Sequence, residues 1–341
     1  MKKLKQNLRQ LLGSMIAIFP FRMLQQLTHR DLLVINYHSI KDIDPDPIIN
    51  RNTYRTVEEF ENDIVFLKEN YQFVNIRDVL ANNWASKYSG KKCVLITFDD
   101  GLRVVYDVFR PILLKHGVSA TVFLNPCFVD NAALHYQRKK NLILHRVSNV
   151  EIEAKRARWK NIFSEQGIYC EGFHESVQAI DYSHSSILND LARLFDVDFQ
   201  QYLMDHPIYL SSGQIREMIK EGFGFGGHSM DHPKYDELHF DDQLSQTLDS
   251  IEWVCAKFDL DYRVFAFPLR DHLISVDLFE KIKEDCELSF GVRGIGDDII
   301  DNHIQRMDVE SKAMDIETVI KFEFVKYLLR CVIGKNKYKR N

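Results

Sequence analysis

Cys93-Val94-Leu95-Ile96-Thr97-Phe98-Asp99-Asp100-Gly101 is an apolar, β-branched run that stops on two adjacent carboxylates and a glycine. Such a run reads as a buried strand delivering acids to its C-terminal edge, the edge where parallel α/β sheets bind their ligands. Taken alone, Asp-Asp-Gly also suits a plain turn, because both residue types fit turn geometry. A second cluster far along the chain, Gly226-Gly227-His228-Ser229-Met230-Asp231-His232-Pro233, shifts the reading toward a site.

Working outward, Asp31-Leu32-Leu33-Val34-Ile35-Asn36-Tyr37-His38 reads as the first strand, and its terminal His38 arrives at the same edge as the Asp pair. Residues 56–70 have helical spacing (Val57, Phe60, Ile64, Leu67) with Thr56 as cap. A short strand over 71–74 and a helix over 76–85 follow. Beyond the Asp pair, 104–116 reads as a helix ended by Gly117, and 120–124 as the next strand. This alternation implies a parallel sheet with crossover helices, either a barrel or an open wound sheet.

Residues 128–207 break the pattern. They are charged, rich in His and aromatics, helical over 150–163 and 186–194, and show no clear strand, which marks an insertion or lid. His135, His145, His174, His184 and His206 share no metal-ligand spacing there, so they read as surface or packing residues. The α/β pattern resumes with a helix from Ser211 or Ser212 to Gly222, helices over 240–258 and 276–284, and a strand over 264–267 stopped by Pro268. Strands at 288–292 and 304–309 close the sheet. A final helix over 316–333 carries the stripe Ile316, Val319, Ile320, Val325, Leu328, Leu329 and Val332, which predicts a face docked on the core.

A chain of 341 residues with 45% apolar content is globular, and its net charge of −5, without a long basic run in its body, excludes nucleic acid as an obvious partner. The six cysteines form no Cys-x-x-Cys pair, so neither a zinc ribbon nor a disulfide scaffold is signalled. Reduced thiols predict a cytoplasmic location. Lys2, Lys3, Lys5 and Arg9 precede a mostly apolar stretch over 11–24, interrupted by Pro20 and Arg22 and followed by no small-x-small cleavage site. That stretch is too short to span a bilayer. It reads either as a basic amphipathic helix on the membrane surface or as a first helix packed on the domain. Lys335, Lys337, Lys339 and Arg340 offer a second contact for anionic lipid. The expected organisation is therefore a terminal helix over 1–30, a catalytic body over 31–310 and a helix with basic tail over 311–341, held at the inner face of the membrane.

A hydrolytic metal site takes three ligands from His and carboxylate and leaves one position open, and Asp100, His228 and His232 supply that set. Asp99 is then free to act as general base, since the metal absorbs its neighbour's charge and both carboxylates stay ionised. Such a pair suits hydrolysis of an amide or ester.

Thr97-Phe98-Asp99-Asp100-Gly101 followed by His228-Ser229-x-x-His232 resembles the first two motifs of the polysaccharide deacetylases, carbohydrate esterase family four, with its NodB-type domain. Tyr37-His38, residues 120–123, residues 210–218 and Phe265-Ala266-Phe267-Pro268 agree, so the resemblance covers roughly 32–309 apart from the insertion. It implies a distorted (β/α) barrel with an Asp-His-His site for a divalent metal, usually zinc and sometimes cobalt or manganese. It also implies removal of acyl groups from N-acetylated sugars or glycans. By resemblance, Asp99 is the base, Asp100, His228 and His232 are the ligands, and the backbone N–H of Leu269 after Pro268 faces the oxyanion.

Two departures stand out. Where many members have an arginine two residues before the third-motif proline, this chain has Ala266; Arg306 or Arg270 would have to orient the base instead. The family's late Leu-x-x-His, which supplies the general acid, is absent near the C-terminus. His303 is the candidate by chain order, His38 by strand-end placement, and His272 by literal spacing. These departures motivate an alternative, a non-catalytic carbohydrate-binding or regulatory protein that keeps the barrel.

Overall fold

The computed structural model describes residues 18–42, 54–82, 84–88, 90–168, 171–310 and 314–340. Its strands are β1 (Leu32–Tyr37), β2 (Gln72–Phe73), β3 (Cys93–Phe98), β4 (Thr121–Leu124), β5 (Gly224–Gly227), β6 (Val264–Ala266), β7 (Leu288–Gly291), β8 (Asp297–Asp298), β9 (His303–Gln305), β10 (Met307–Asp308) and β11 (Lys337–Tyr338). The main sheet runs β10-β1-β3-β4-β5-β6-β7-β9, with β2 beside β3, and its neighbours pair in parallel.

Closure falls on one segment. The sequence predicts a single strand over 304–309; the structure has two, β9 and β10, separated only by Arg306. The first half pairs with β7 and the second with β1, so this segment joins both ends of the sheet and shuts it into a nearly complete (β/α) barrel. The interruption arises because the two halves serve different neighbours.

Strand alternation sorts the residues of β1 and β3. The register sets Asn36 beside Thr97 and Tyr37 beside Phe98. Asn36 and Thr97 share the buried polar side that Asp99 also joins. Tyr37 and Phe98 face the helix layer, where Phe60 and Phe109 meet them with ring centroids 4.6–6.3 Å apart. Phe60 comes from helix Val57–Asn70, whose start is set by a reciprocal Thr56–Glu59 capping box. The helix expected over 104–116 opens instead with a wider π-type turn over Val105–Phe109 before Arg110–Lys115 becomes α-helical. Pro111 lies in that first α-turn with no N–H to donate.

Between β4 and β5 the chain builds helices Tyr136–Arg146, Asn149–Ala154, Arg156–Glu165, Phe173–Ala179, Ile187–Phe195 and Phe199–Asp205, with no strand among the described residues. They close on a core of their own that includes Trp159, Phe163, Phe173, Leu188 and Leu191. The helix expected over 150–163 is broken at Lys155.

At the N-terminal end, helix Phe21–Leu27 docks on the barrel, burying Phe21 and Leu24, with Phe21 against Phe66 and Phe324. The basic residues Lys2, Lys3, Lys5 and Arg9 lie outside the described residues. Helix Ile316–Val332 buries Ile316, Val319, Ile320, Phe324 and Tyr327. Leu329 and Val332, expected in that stripe, are exposed, because the 3.6-residue period carries them to the opposite face. Of the basic tail, Lys335, Lys337 and Lys339 are exposed, whereas Arg340 is taken out of any lipid contact. β11 pairs with β8, and the Arg340 side chain is fully buried against Asp271 and Asp298. No described helix is long and apolar enough to cross a membrane.

Phe60→Ala would open a cavity in the aromatic layer behind β1 and β3. It is expected to cost about 3–5 kcal/mol in urea unfolding.

Candidate metal centre

β3 carries Asp99 and Asp100 out of the barrel core at its C-terminal edge. Asp100 and Gly101 both adopt left-handed backbone, with φ of 69° and 58°, which reverses the chain within two residues. A Cβ on Gly101 would lie 2.8 Å from the Leu124 side chain, so only glycine fits at this turn. Ser229, His232 and Leu269 are also left-handed, so with Asp100 four non-glycine residues around this spot share that uncommon conformation.

β5 delivers the histidines. Its Gly227 leads directly into His228, whose N–H bonds Leu124 O at 2.8 Å. Ser229 Oγ accepts from His232 N at 3.0 Å, and Asn125 Nδ2 donates to the carbonyl oxygens of His228 and Ser229. The insertion adds a further tie: Tyr182 Oη donates to Asp231, which also accepts from Gln246 Nε2.

These supports bring Asp100 Oδ1 within 3.2 Å of His232 Nε2 and 3.6 Å of His228 Nε2, and the three candidate ligand atoms all lie within 4.8 Å of one another. The set fits a divalent ion on its own chemistry. Asp100 Oδ1 is buried without a hydrogen-bond donor of good geometry. His228 pairs its Nδ1 with Ala266 O at 2.7 Å, which assigns the proton to Nδ1 and leaves the Nε2 lone pair directed at the cluster. Burial pushes the His228 imidazole down to about 4, favouring the neutral ligand form. Burial raises the Asp100 carboxyl, but His232, His38 and His228 outweigh it and hold the group well below the usual carboxylate range.

Asp99, 3% exposed, stands beside this cluster with Oδ2 4.0 Å from His228 Nε2. Arg306 reaches it from the β9–β10 junction with two parallel hydrogen bonds, Nη1 to Oδ1 at 2.6 Å and Nη2 to Oδ2 at 2.8 Å. Asn36 Nδ2 adds a third at 2.9 Å. Burial raises the Asp99 carboxyl, and the charges of Arg306 and His228 override it, bringing it down to about 2. Arg270, the other sequence candidate for this place, is exposed.

His38 lies on the open side. Its Nε2 is 3.8 Å from Asp99 Oδ2 and its Nδ1 is 2.8 Å from Glu310 Oε2. Burial lowers the imidazole, but Glu310, Asp99 and Asp100 raise it to about 10. His303 is not part of the group. It is buried against Phe267 and Phe279 and bonds Ser289 and Asp271, so it has no path to a leaving group. Pro268 is buried and Leu269 is exposed on the loop after β6.

Three participants escape a motif reading. Glu310 follows the last barrel strand and accepts from the backbone N–H groups of His38 and Ser39 as well as from the ring. Asn36 precedes His38 by two residues, and that same-face spacing was its available signal. His135 of the insertion packs edge-on to His232, with centroids 5.0 Å apart. With Phe128, Arg138 and Tyr209 it helps wall a cavity of about 30 Å³ beside Asp100 and His232.

A parallel barrel with an Asp-His-His cluster and a paired carboxylate at the C-terminal strand edge is the NodB-type architecture. The family model described as polysaccharide deacetylase matches residues 86–284, more than half of the chain, and the chain belongs to that family. It is 35% identical over 95 residues to YxkH of Bacillus subtilis (strain 168), a protein provisionally named a polysaccharide deacetylase; that stretch is 27% of this chain and 31% of YxkH. Among solved structures it resembles the Streptococcus pyogenes deacetylase PplD in complex with acetate, at a TM-score of 0.53 and 16% identity over 84% of this chain and 95% of that one. IcaB from Ammonifex degensii gives 0.53 at 15% identity, over 87% and 97% of the two chains. At these identities the likeness is one of fold.

Arg306→Met would strand a buried carboxylate and is expected to cost about 3–5 kcal/mol in urea unfolding. Arg270→Met, at the surface, is expected to stay within about 0.5 kcal/mol in the same measurement.

Proposed function

We propose that this protein is a metal-dependent hydrolase that removes an acetyl group from an N-acetylated amino sugar of a polysaccharide or lipid-linked glycan. The observation that carries the reading is the convergence of Asp100, His228 and His232 beside an Asp99 carboxylate held in a two-pronged grip by Arg306. One carboxylate and two imidazoles suit zinc first, with cobalt or manganese as alternatives. Bound there, a divalent ion supplies an acidified water and polarises the acyl carbonyl.

Asp99 takes the proton of the attacking water. Arg306 and Asn36 fix its carboxylate in place and keep it ionised, so it is ready to accept without reorganising. The N–H of Leu269, displayed on left-handed backbone, is the proposed donor to the oxyanion of the tetrahedral intermediate. His38 holds a proton at neutral pH because Glu310 stabilises the charged ring, and it delivers that proton to the departing amine. The non-catalytic alternative rested on a missing arginine and a missing acid, and Arg306 and the His38–Glu310 pair offer replacements for both. For location we keep the cytoplasmic side of the membrane, on sequence grounds alone: Met1–Arg30 carries six Lys or Arg and no acid.

An acetate-release screen over N-acetylated oligosaccharides tests the reading. Chelator is expected to abolish release, and Asp99→Asn to lower it by about a hundredfold or more while metal content is retained. Undiminished turnover by Asp99→Asn would sink the mechanism. The acid assignment has its own test in the pH profile. His38 loses its proton only as pH rises through its elevated pKa, so Glu310→Gln, which removes the main source of that elevation, is expected to move the basic limb of kcat/KM to lower pH. A basic limb that stays in place would remove His38 from the role of acid.

A further inference from the structure

Behind the active-site loop lies a second cluster that the proposed reaction does not use. Asp271, Asp298 and His303 bring their polar atoms within 4.8 Å of one another, a grouping that could hold a metal ion. The chain supplies its own cation there. Arg340 Nη2 bonds Asp271 Oδ2 at 2.6 Å and Asp298 Oδ2 at 2.7 Å, Nε bonds Asp298 Oδ1 at 2.8 Å, and Nη1 donates to the backbone oxygen of Asp271. All of these side chains are fully buried.

We propose that Arg340 is a positioning residue for the catalytic loop and for the brace on the base, an inference that rests on the deacetylase reading above. Asp271 ends the segment that begins at Pro268 and displays Leu269. Its Oδ2 also accepts from Gln305 Nε2 at 2.7 Å and faces His303 Nε2 at 3.1 Å, so the loop is fastened to β9 as well as to the tail. Its carboxylate lies directly on β7: a Cβ added to Gly291 would come 2.5 Å from Asp271 Cγ. The Gly291 carbonyl in turn accepts from Arg306 N at 3.0 Å and Arg306 Nε at 3.2 Å. A run of direct contacts therefore leads from Arg340 through Asp271 and Gly291 to Arg306 and on to Asp99.

The guanidinium suits this place because it engages two carboxylates and a carbonyl at once in one plane, which an ammonium cannot do. The tail is seated by a second anchor. Tyr338 Oη donates to Arg293 O at 2.7 Å, and the Arg293 guanidinium lies 3.9 Å from the Tyr338 ring centroid. Arg340 thus arrives on an element that is itself docked.

The test uses the full chain with Arg340→Ala and, as a control for plain loss of stability, Phe258→Leu at a buried site in a different hydrophobic cluster from Phe279, compared at matched distance below their Tm values. Two readouts are taken: amide hydrogen exchange by peptide, and kcat with KM for acetate release. Arg340→Ala is expected to speed exchange across residues 269–274 and 291–294 and leave residues 228–232 unchanged. It is expected to lower kcat on the order of a hundredfold with little change in KM. Added guanidinium ion should restore part of that kcat, and should do nothing for Phe258→Leu. Unchanged exchange over 269–274, or a kcat no lower than that of the control, would overturn the proposal. If exchange responds as expected while the wild-type protein releases no acetate from any sugar, Arg340 stands as the brace of this loop and the deacetylase reading is what fails.

Discussion

Barrel closure and the placement of Asp99 both depend on one buried ion pair, Arg306 on Asp99. Two charges out of water are costly unless their geometry is good and their remaining valences are met. Here the guanidinium meets both carboxylate oxygens, Asn36 and Thr97 take part, and Gly291 accepts what remains. The pair also sits where the sheet closes, since Arg306 is the residue between β9 and β10. Barrel closure and the fixing of the Asp99 carboxylate are therefore one event. Where the family resemblance leads one to expect an arginine before the third-motif proline this chain has Ala266, and Arg306 from the β9–β10 junction grips the carboxylate.

The Asp100–His228–His232 cluster is held differently, by backbone. Asp100, Ser229 and His232 adopt left-handed conformations that cost energy for residues with a Cβ, and the surrounding hydrogen bonds from Asn125, Ser229 and Gln246 offset it. The helical insertion belongs to this support. Tyr182 holds Asp231 between the two histidines, and His135 packs on His232, so the segment has structural duties at the metal loop whatever it does for substrate.

Much of this was legible from residues alone. The Asp pair and His38 were placed at strand ends by the change from apolar to polar residues, and the order of elements indicated parallel strands, but the glycine-rich stretch before the histidines gave no strand signal although it forms β5. The barrel, as opposed to an open sheet, was not readable from periodicity, because closure depends on a six-residue segment serving two neighbours at once. Glu310 was missed because it lies beyond a strand end with no motif around it, and its partner is a distant residue brought near only by that closure. His303 was misplaced for the complementary reason. A late histidine resembles a catalytic one by chain order until its place is known, and this one opens β9 and turns into the layer of Phe267 and Phe279. In the tail, charge was read as exposure, but Arg340 is a buried counter-ion.

The β9–β10 junction also sets an order of events in time. Asp99 and Arg306 are separated by 207 positions, and contacts of such separation close late. As the chain leaves the ribosome, Asp100, His228 and His232 are all available before residue 306 has been made. The three candidate ligands can therefore converge while Asp99 still lacks its guanidinium partner. On the proposed reading, the grip on the base arrives only with the last barrel strand, so a nascent chain would hold its ligand set before it could hydrolyse.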